Sequence, residues 1–159
     1  MPLTSNPSRG RMNGSVVRCP QCGRRNRVPA VRTGVPRCAA CGTALPWIVD
    51  ASDDDFVPVA EDATLPVLVD LWAEWCAPCK HITPIVERLG REMGGKVKVA
   101  KVDVDRSPKT ASQFGVRGVP TLLLLREGRE MDRIVGALPE DQLRARVTNA
   151  MAVQPADGR

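Results

Sequence analysis

The chain has 159 residues, enough for one ordinary domain with a small module beside it. Aromatic residues are few, with three Trp, two Phe and no Tyr, so any core must be built from Val, Leu and Ile. The net charge of +5 is uneven. Residues 1–50 carry +7 and residues 51–159 carry −2, which divides the chain into a basic first third and a near-neutral body. No apolar run approaches the roughly 18–20 residues of a membrane span.

The N-terminal stretch MPLTSNPSRGRMNGSVV has no apolar core, so it is not expected to act as a secretory signal. Its composition reads as a disordered tail over residues 1–15, and Met12 is a candidate true start. An intracellular setting follows as the expectation. There thiols stay reduced, and paired cysteines signify metal binding or redox catalysis.

All six cysteines fall into three C-x-x-C pairs. The first two, CPQC and CAAC, are separated by fifteen residues. This spacing suits a four-cysteine zinc site formed by Cys19, Cys22, Cys38 and Cys41. Two thiolates on one tight turn grip one ion, and Gly23 and Gly42 follow the two pairs at the same offset. The segment between them has almost no large apolar residue, so the metal is expected to supply the folding energy of a module over 16–45. A closed four-sulfur site has no open position, which makes the zinc structural. Two disulfides or a redox relay are the alternatives. Six arginines (18, 24, 25, 27, 32 and 37) surround the site. Aromatic stacking platforms are missing, so nucleic acid is not an expected partner.

From about residue 46 the pattern is that of an α/β domain ending near residue 153. PWIVDA predicts a strand, and Ser52 with the acids after it predicts a helix start made irregular by Pro58. LPVLVDLWA (65–73) predicts a strand buried on both faces and interrupted by Asp70. Residues 76–93 predict a helix containing Pro84. KVKVAKVDVD (96–105) alternates and predicts a strand. SPKTASQFG predicts a helix capped by Ser107. PTLLLLREGREMDRIVGA predicts a hairpin of antiparallel edge strands around Glu127–Gly128. PEDQLRARVTNAM predicts an amphipathic helix with Leu143, Val147 and Met151 on one face, followed by a frayed tail over 154–159. The order βαβαβαββα implies a mixed sheet flanked by helices.

The third pair, Cys76 and Cys79, sits after a buried strand and at a helix start. Free N–H groups and the helix dipole stabilise a thiolate there, a redox arrangement. Cys76 is nearest the terminus and expected to be the more exposed, hence the nucleophile. Cys79, one turn inward, suits the resolving role. Asp70 in an apolar strand should have a raised pKa and is a candidate general base for Cys79.

VDLWAEWCAPCKHITP resembles the active-site segment of the thioredoxin family, and GVRGVPTLLLLREG resembles its cis-proline stretch. The four-cysteine module, CPQCGRRNRVP above all, resembles that of the zinc-containing bacterial thioredoxin 2 subgroup. The resemblance implies the thioredoxin fold and reduction of protein disulfides, with electrons from NADPH through thioredoxin reductase. No organic cofactor is implied, and a cytoplasmic monomer acting on oxidised proteins is expected. Carried onto this chain, it implies that Lys101 pairs with and tunes Asp70, and that Pro120 is the cis-proline beside the cysteines. It implies a substrate rim of Trp75, Pro78, Gly118, Val119, Gly136 and Ala137. Ala77, also on that rim, departs from the usual glycine. His81 departs too, making C-x2-C-x-H, but a helical His one turn on is expected to be solvated rather than a ligand. Two other functions fit the residues less well: a disulfide oxidase or isomerase, and a redox-controlled zinc-ribbon chaperone or binding protein.

Overall fold

The computed structural model describes residues 14–152. Met12, most of the expected first tail and the tail over 154–159 lie outside the described residues. The described residues start with a hairpin of β1 (Ser15–Arg18) and β2 (Arg25–Val28), paired antiparallel with Ser15 opposite Val28. Ser15 was expected in the tail, and Val16 and Val17 at the start of the module. They form a strand because the first cysteine pair makes the hairpin turn, with the Cys19 N–H on the Arg24 carbonyl at 2.8 Å.

The body contains β3 (Ile48–Ala51), a π-helical segment α1 (Val57–Glu61), β4 (Val67–Trp72), α2 (Ala77–Glu92), β5 (Lys98–Asp103), α3 (Pro108–Gln113), β6 (Thr121–Arg126), β7 (Arg129–Val135) and α4 (Glu140–Ala152). The strand order is β3-β5-β4-β6-β7. The β3–β5 and β5–β4 pairs are parallel, and β4–β6 and β6–β7 are antiparallel. Only β7 of the expected edge hairpin lies at an edge. The run Leu122–Leu125 is buried on both faces and takes an interior place beside β4, whereas β7 carries Arg129, Glu130, Asp132 and Arg133. The turn residues Glu127 and Gly128 have positive φ, 52° and 79°, as a tight hairpin turn demands.

One face of the sheet packs Leu68, Val99, Leu122 and Leu124 against Ile82, Val86 and Leu89 of α2 and Leu143 and Val147 of α4. The other face packs Val69, Leu71, Ala100 and Leu123 in one cluster with Phe56 and Val59. That same cluster includes Val28, Ala30 and Leu45, so the N-terminal module shares the core of the body. Each fully buried Val or Leu contributes about 1.5–3 kcal/mol. Metal is therefore not the only force holding residues 16–45, contrary to the expectation.

Lys98 is the main departure from the sequence pattern. The alternation of β5 places it on a solvated face, yet it is 1 % exposed. β5 lies between β3 and β4 and is covered on both sides. The Lys98 Nζ donates to the Ala30 carbonyl at 2.5 Å and the Val59 carbonyl at 2.6 Å, and it lies 4.0 Å from the Trp47 ring centroid. Trp47 Nε1 in turn donates to the Pro29 carbonyl at 2.9 Å. These two side chains fasten the module to the body. Burial pushes the Lys98 pKa down to about 8, opposed by Asp55.

Two helix starts also differ from expectation. Ser52 does not cap by its side chain; its N–H donates to Asp55 Oδ1 at 2.8 Å. Ser107 holds the cap position of α3 but makes no side-chain cap. Asp53 supplies it instead, accepting from the N–H groups of Lys109 and Thr110 and from the Thr110 hydroxyl. Among the described residues no helix is long and apolar enough to cross a membrane.

Candidate functional site

Cys76 caps α2 in an extended conformation, and Pro78 occupies the first turn. The Cys79 N–H points at Cys76 Sγ at 3.2 Å, so the unpaired amides of the helix start are aimed at the sulfur. The two cysteines form a disulfide with a Cα–Cα distance of 5.3 Å. In this oxidised form Cys76 is not distinctly the more exposed: it is 3 % exposed and Cys79 2 %. The accessible neighbours are Trp75, at 70 %, with Ala77 and Pro78.

Val119 packs against Cys76, Cys79 and Ala73, and the Val119–Pro120 bond is cis. The Pro120 carbonyl accepts from the Gly136 N–H at 2.9 Å, which brings the β7 end to this loop. Gly118 and Ala137 are exposed, Gly136 is half-buried, and Val135 stands out at 69 % exposure. Val135 is an apolar rim candidate that its place in an alternating strand did not mark. Trp75 Nε1 donates to Asp105 Oδ2 at 2.8 Å, which fixes the exposed indole. His81 is exposed and lies outside the metal-binding cluster found among the described residues.

Asp70 is fully buried in β4. Thr83 of α2, four residues beyond Cys79, donates its hydroxyl to Asp70 Oδ2 at 2.9 Å. Asp70 Oδ1 is buried with no hydrogen-bond partner among the described residues. Burial raises the pKa of Asp70 to about 6, while the Thr83 hydroxyl and Lys101 pull it down and Glu87 pushes it up. Lys101 is the ladder partner of Asp70 on β5, but no direct ion pair joins them. Its Nζ lies 3.0 Å from Glu87 Oε1 and 3.9 Å from Asp50 Oδ1. Lys101 therefore acts on Asp70 through space while bonded elsewhere. Thr83 and Glu87 went unmarked in the sequence because a Thr and a Glu within a helix look ordinary.

The raised pKa has a stability consequence. Between the ordinary 3.8 and about 6, the folded protein binds the proton that the unfolded chain has lost. Stability then falls as pH rises through that window, by about 3 kcal/mol in all. Asp70→Asn removes the buried charge. It is expected to exceed the wild type by about this amount at pH 7–8, with the gap closing near pH 4. Denaturant unfolding across pH checks this.

The second cluster is built from two like turns. Gly23 N–H bonds the Cys19 carbonyl and Gly42 N–H the Cys38 carbonyl, both at 2.9 Å, with φ of 79° and 78°. Such φ values are the province of glycine. N–H groups aim at the first sulfur of each turn: Gln21 and Cys22 at Cys19 Sγ, and Ala40 at Cys38 Sγ. The sulfurs interleave, with Cys19–Cys41 at 3.5 Å and Cys22–Cys38 at 3.6 Å, and all four lie within 4.8 Å of one another. A tetrahedral zinc at about 2.3 Å from each sulfur requires separations of about 3.8 Å, so the donor set fits. Asn26, buried in β2, donates to Cys38 Sγ at 3.5 Å and accepts from the Ala39 N–H at 3.0 Å. The N–H of Cys41, with those of Ala40 and Asn26, holds the Cys38 thiol down to about 6 against burial. Asn26 is a supporting residue that the cysteine spacing alone did not reveal.

A bonded cysteine pair at a helix start, a cis-proline loop against it and a buried carboxyl in the adjacent strand together make a dithiol-exchange site. The thioredoxin family model matches residues 47–149, which leaves the four-cysteine module outside it. Thioredoxin from Synechocystis is 45% identical over 101 residues, covering 64% of this chain and 92% of that protein. Thioredoxin C-2 from Corynebacterium nephridii is 46% identical over 98 residues, covering 62% and 91%. Thioredoxin M4, chloroplastic, from Arabidopsis thaliana is 36% identical over 130 residues, covering 80% and 67%. With most of the chain matched by the family model and the two bacterial relatives covered over about nine-tenths of their length, the chain belongs to the thioredoxin family of thiol–disulfide oxidoreductases.

Proposed function

We propose that this protein reduces protein disulfides through Cys76 and Cys79, and is itself recycled by an NADPH-dependent thioredoxin reductase. The observation that carries this reading is the Cys76–Cys79 pair at the start of α2, with Val119 packed on it and Asp70 beneath the same helix. Cys76 attacks the substrate disulfide, and Cys79 resolves the mixed disulfide. Asp70 takes the proton from Cys79, and Lys101 tunes it from the neighbouring strand. Pro120 shapes the floor of the site. An extended substrate chain lies on the rim of Trp75, Ala77, Pro78, Gly118, Val119, Gly136 and Ala137, with backbone bonds near Val119.

The four thiolates of Cys19, Cys22, Cys38 and Cys41 hold one structural zinc ion, as in the zinc-containing thioredoxin 2 subgroup. The functional division is then a metal module over 16–45 and an exchange domain over 46–153, in a cytoplasmic monomer. A reducing compartment suits both roles, since it keeps metal thiolates unoxidised. Trapping tests the order of events. Cys79→Ser should accumulate a mixed disulfide between Cys76 and an oxidised protein substrate, visible as a thiol-reversible adduct by mass. No adduct, or an adduct on another cysteine, would remove the assignment.

A further inference from the structure

We infer that Thr83 is a positioning residue: it holds one carboxyl oxygen of Asp70 and leaves the other, Oδ1, as the proton acceptor for the Cys79 thiol. This rests on the reading of Asp70 as the base. Cys79, Thr83 and Glu87 are spaced four apart on α2 and so share one face, stacked turn upon turn. The middle member bonds Asp70 Oδ2 at 2.9 Å, and the last bonds Lys101 at 3.0 Å. The first is the buried resolving cysteine. With Oδ2 engaged by the Thr83 hydroxyl, Oδ1 is the carboxyl oxygen with both lone pairs open; it is buried and without a partner among the described residues. The incoming proton therefore goes to Oδ1.

The step balances. Cys79 S–H gives its proton to Oδ1. The resulting thiolate attacks Cys76 Sγ, the bond between Cys76 and the substrate sulfur breaks, and the substrate leaves as a thiolate that takes a proton from water. The two enzyme thiols are oxidised to the disulfide, and the substrate disulfide is reduced to two thiols.

The hydroxyl has a second effect. A donor on a carboxylate favours its ionised form, so Thr83 offsets part of the upward push from burial. The charged groups acting on Asp70 are Lys101 on β5, Asp50 on β3 through Lys101, and Glu87 on α2. On its other side β6 presents Leu122, which does not titrate. Without the hydroxyl, the Asp70 midpoint should rise by about one pH unit from its value of about 6.

The test uses Thr83→Val, Thr83→Ala and Thr83→Ser in the full chain. Alanine removes the hydroxyl without adding bulk to the core. Two quantities are read against pH: the carboxyl carbon resonance of Asp70 by NMR, and the rate of insulin reduction. Valine and alanine should raise the Asp70 midpoint and carry the acid limb of the rate with it. The rate at pH 6 should fall roughly fivefold, with no change above about pH 8. Serine should restore both. If the midpoint stays put in Thr83→Ala, or serine fails to restore it, the role of Thr83 is overturned while Asp70 as base survives. If the midpoint moves and the rate profile does not, the reading of Asp70 as base falls, and this inference with it.

Discussion

Cys76→Ser is expected to abolish dithiol-driven reduction of insulin, by at least about 10⁴-fold, because an alcohol does not ionise near neutral pH and cannot form the mixed disulfide. The helix-start amides that favour a thiolate at position 76 give no comparable help to a hydroxyl. The fold should be indifferent to the change. The two sulfurs span only three residues of sequence and sit in a small cluster with Ala73, apart from the two main cores. Folding with a wild-type unfolding midpoint in the presence of reductant, together with lost activity, is the predicted pair of results. Retained activity would place the chemistry on another cysteine.

Cys38→Ser should have the opposite profile, a large loss of structure with little loss of exchange chemistry. Cys38 is the buried first sulfur of its turn, in contact with Cys22, Asn26 and the Ala40 N–H. Structural zinc in small modules contributes about 10–16 kcal/mol of coupled folding energy, so loss of one of four thiolates should release the metal. Hydrogen exchange should then lose protection across β1 and β2. Full unfolding is not expected, because Val28, Ala30, Leu45, Lys98 and Trp47 still tie the segment to the body. Global unfolding would show that the module and body form one cooperative unit. Unchanged protection would remove the structural role of the metal.

Much of this arrangement was legible in the sequence. The order of elements in the body followed from apolar periodicity, because long amphipathic helices and buried strands announce themselves. The third cysteine pair could be placed at a helix start, and the first two pairs fell within metal-ligand spacing. The misread Ser15 and Ser107 and the unmarked Lys98 and Thr83 share one physical cause: a partner distant in sequence overrides the local pattern. Lys98 looks like a solvated residue in an alternating strand until the Ala30 carbonyl, 68 residues away, reaches it. Ser107 looks like a helix cap until Asp53, 57 residues before Thr110, accepts from the Thr110 N–H in its stead. Ser15 looks like the end of a tail until the cysteine turn folds β2 back onto it. Thr83 matters only because the register of α2 sets it above Asp70, and a single threonine carries no sign of that.

The three C-x-x-C pairs share a spacing, and their surroundings divide them. Cys76 and Cys79 lie at a helix start beside a cis-proline, whereas the other four sulfurs converge from two glycine turns. Metal analysis combined with thiol counting on the reduced and the oxidised protein tests this division most directly. One zinc per chain and two reversibly oxidised thiols, Cys76 and Cys79, are predicted. Six reversibly oxidised thiols and no metal would contradict it.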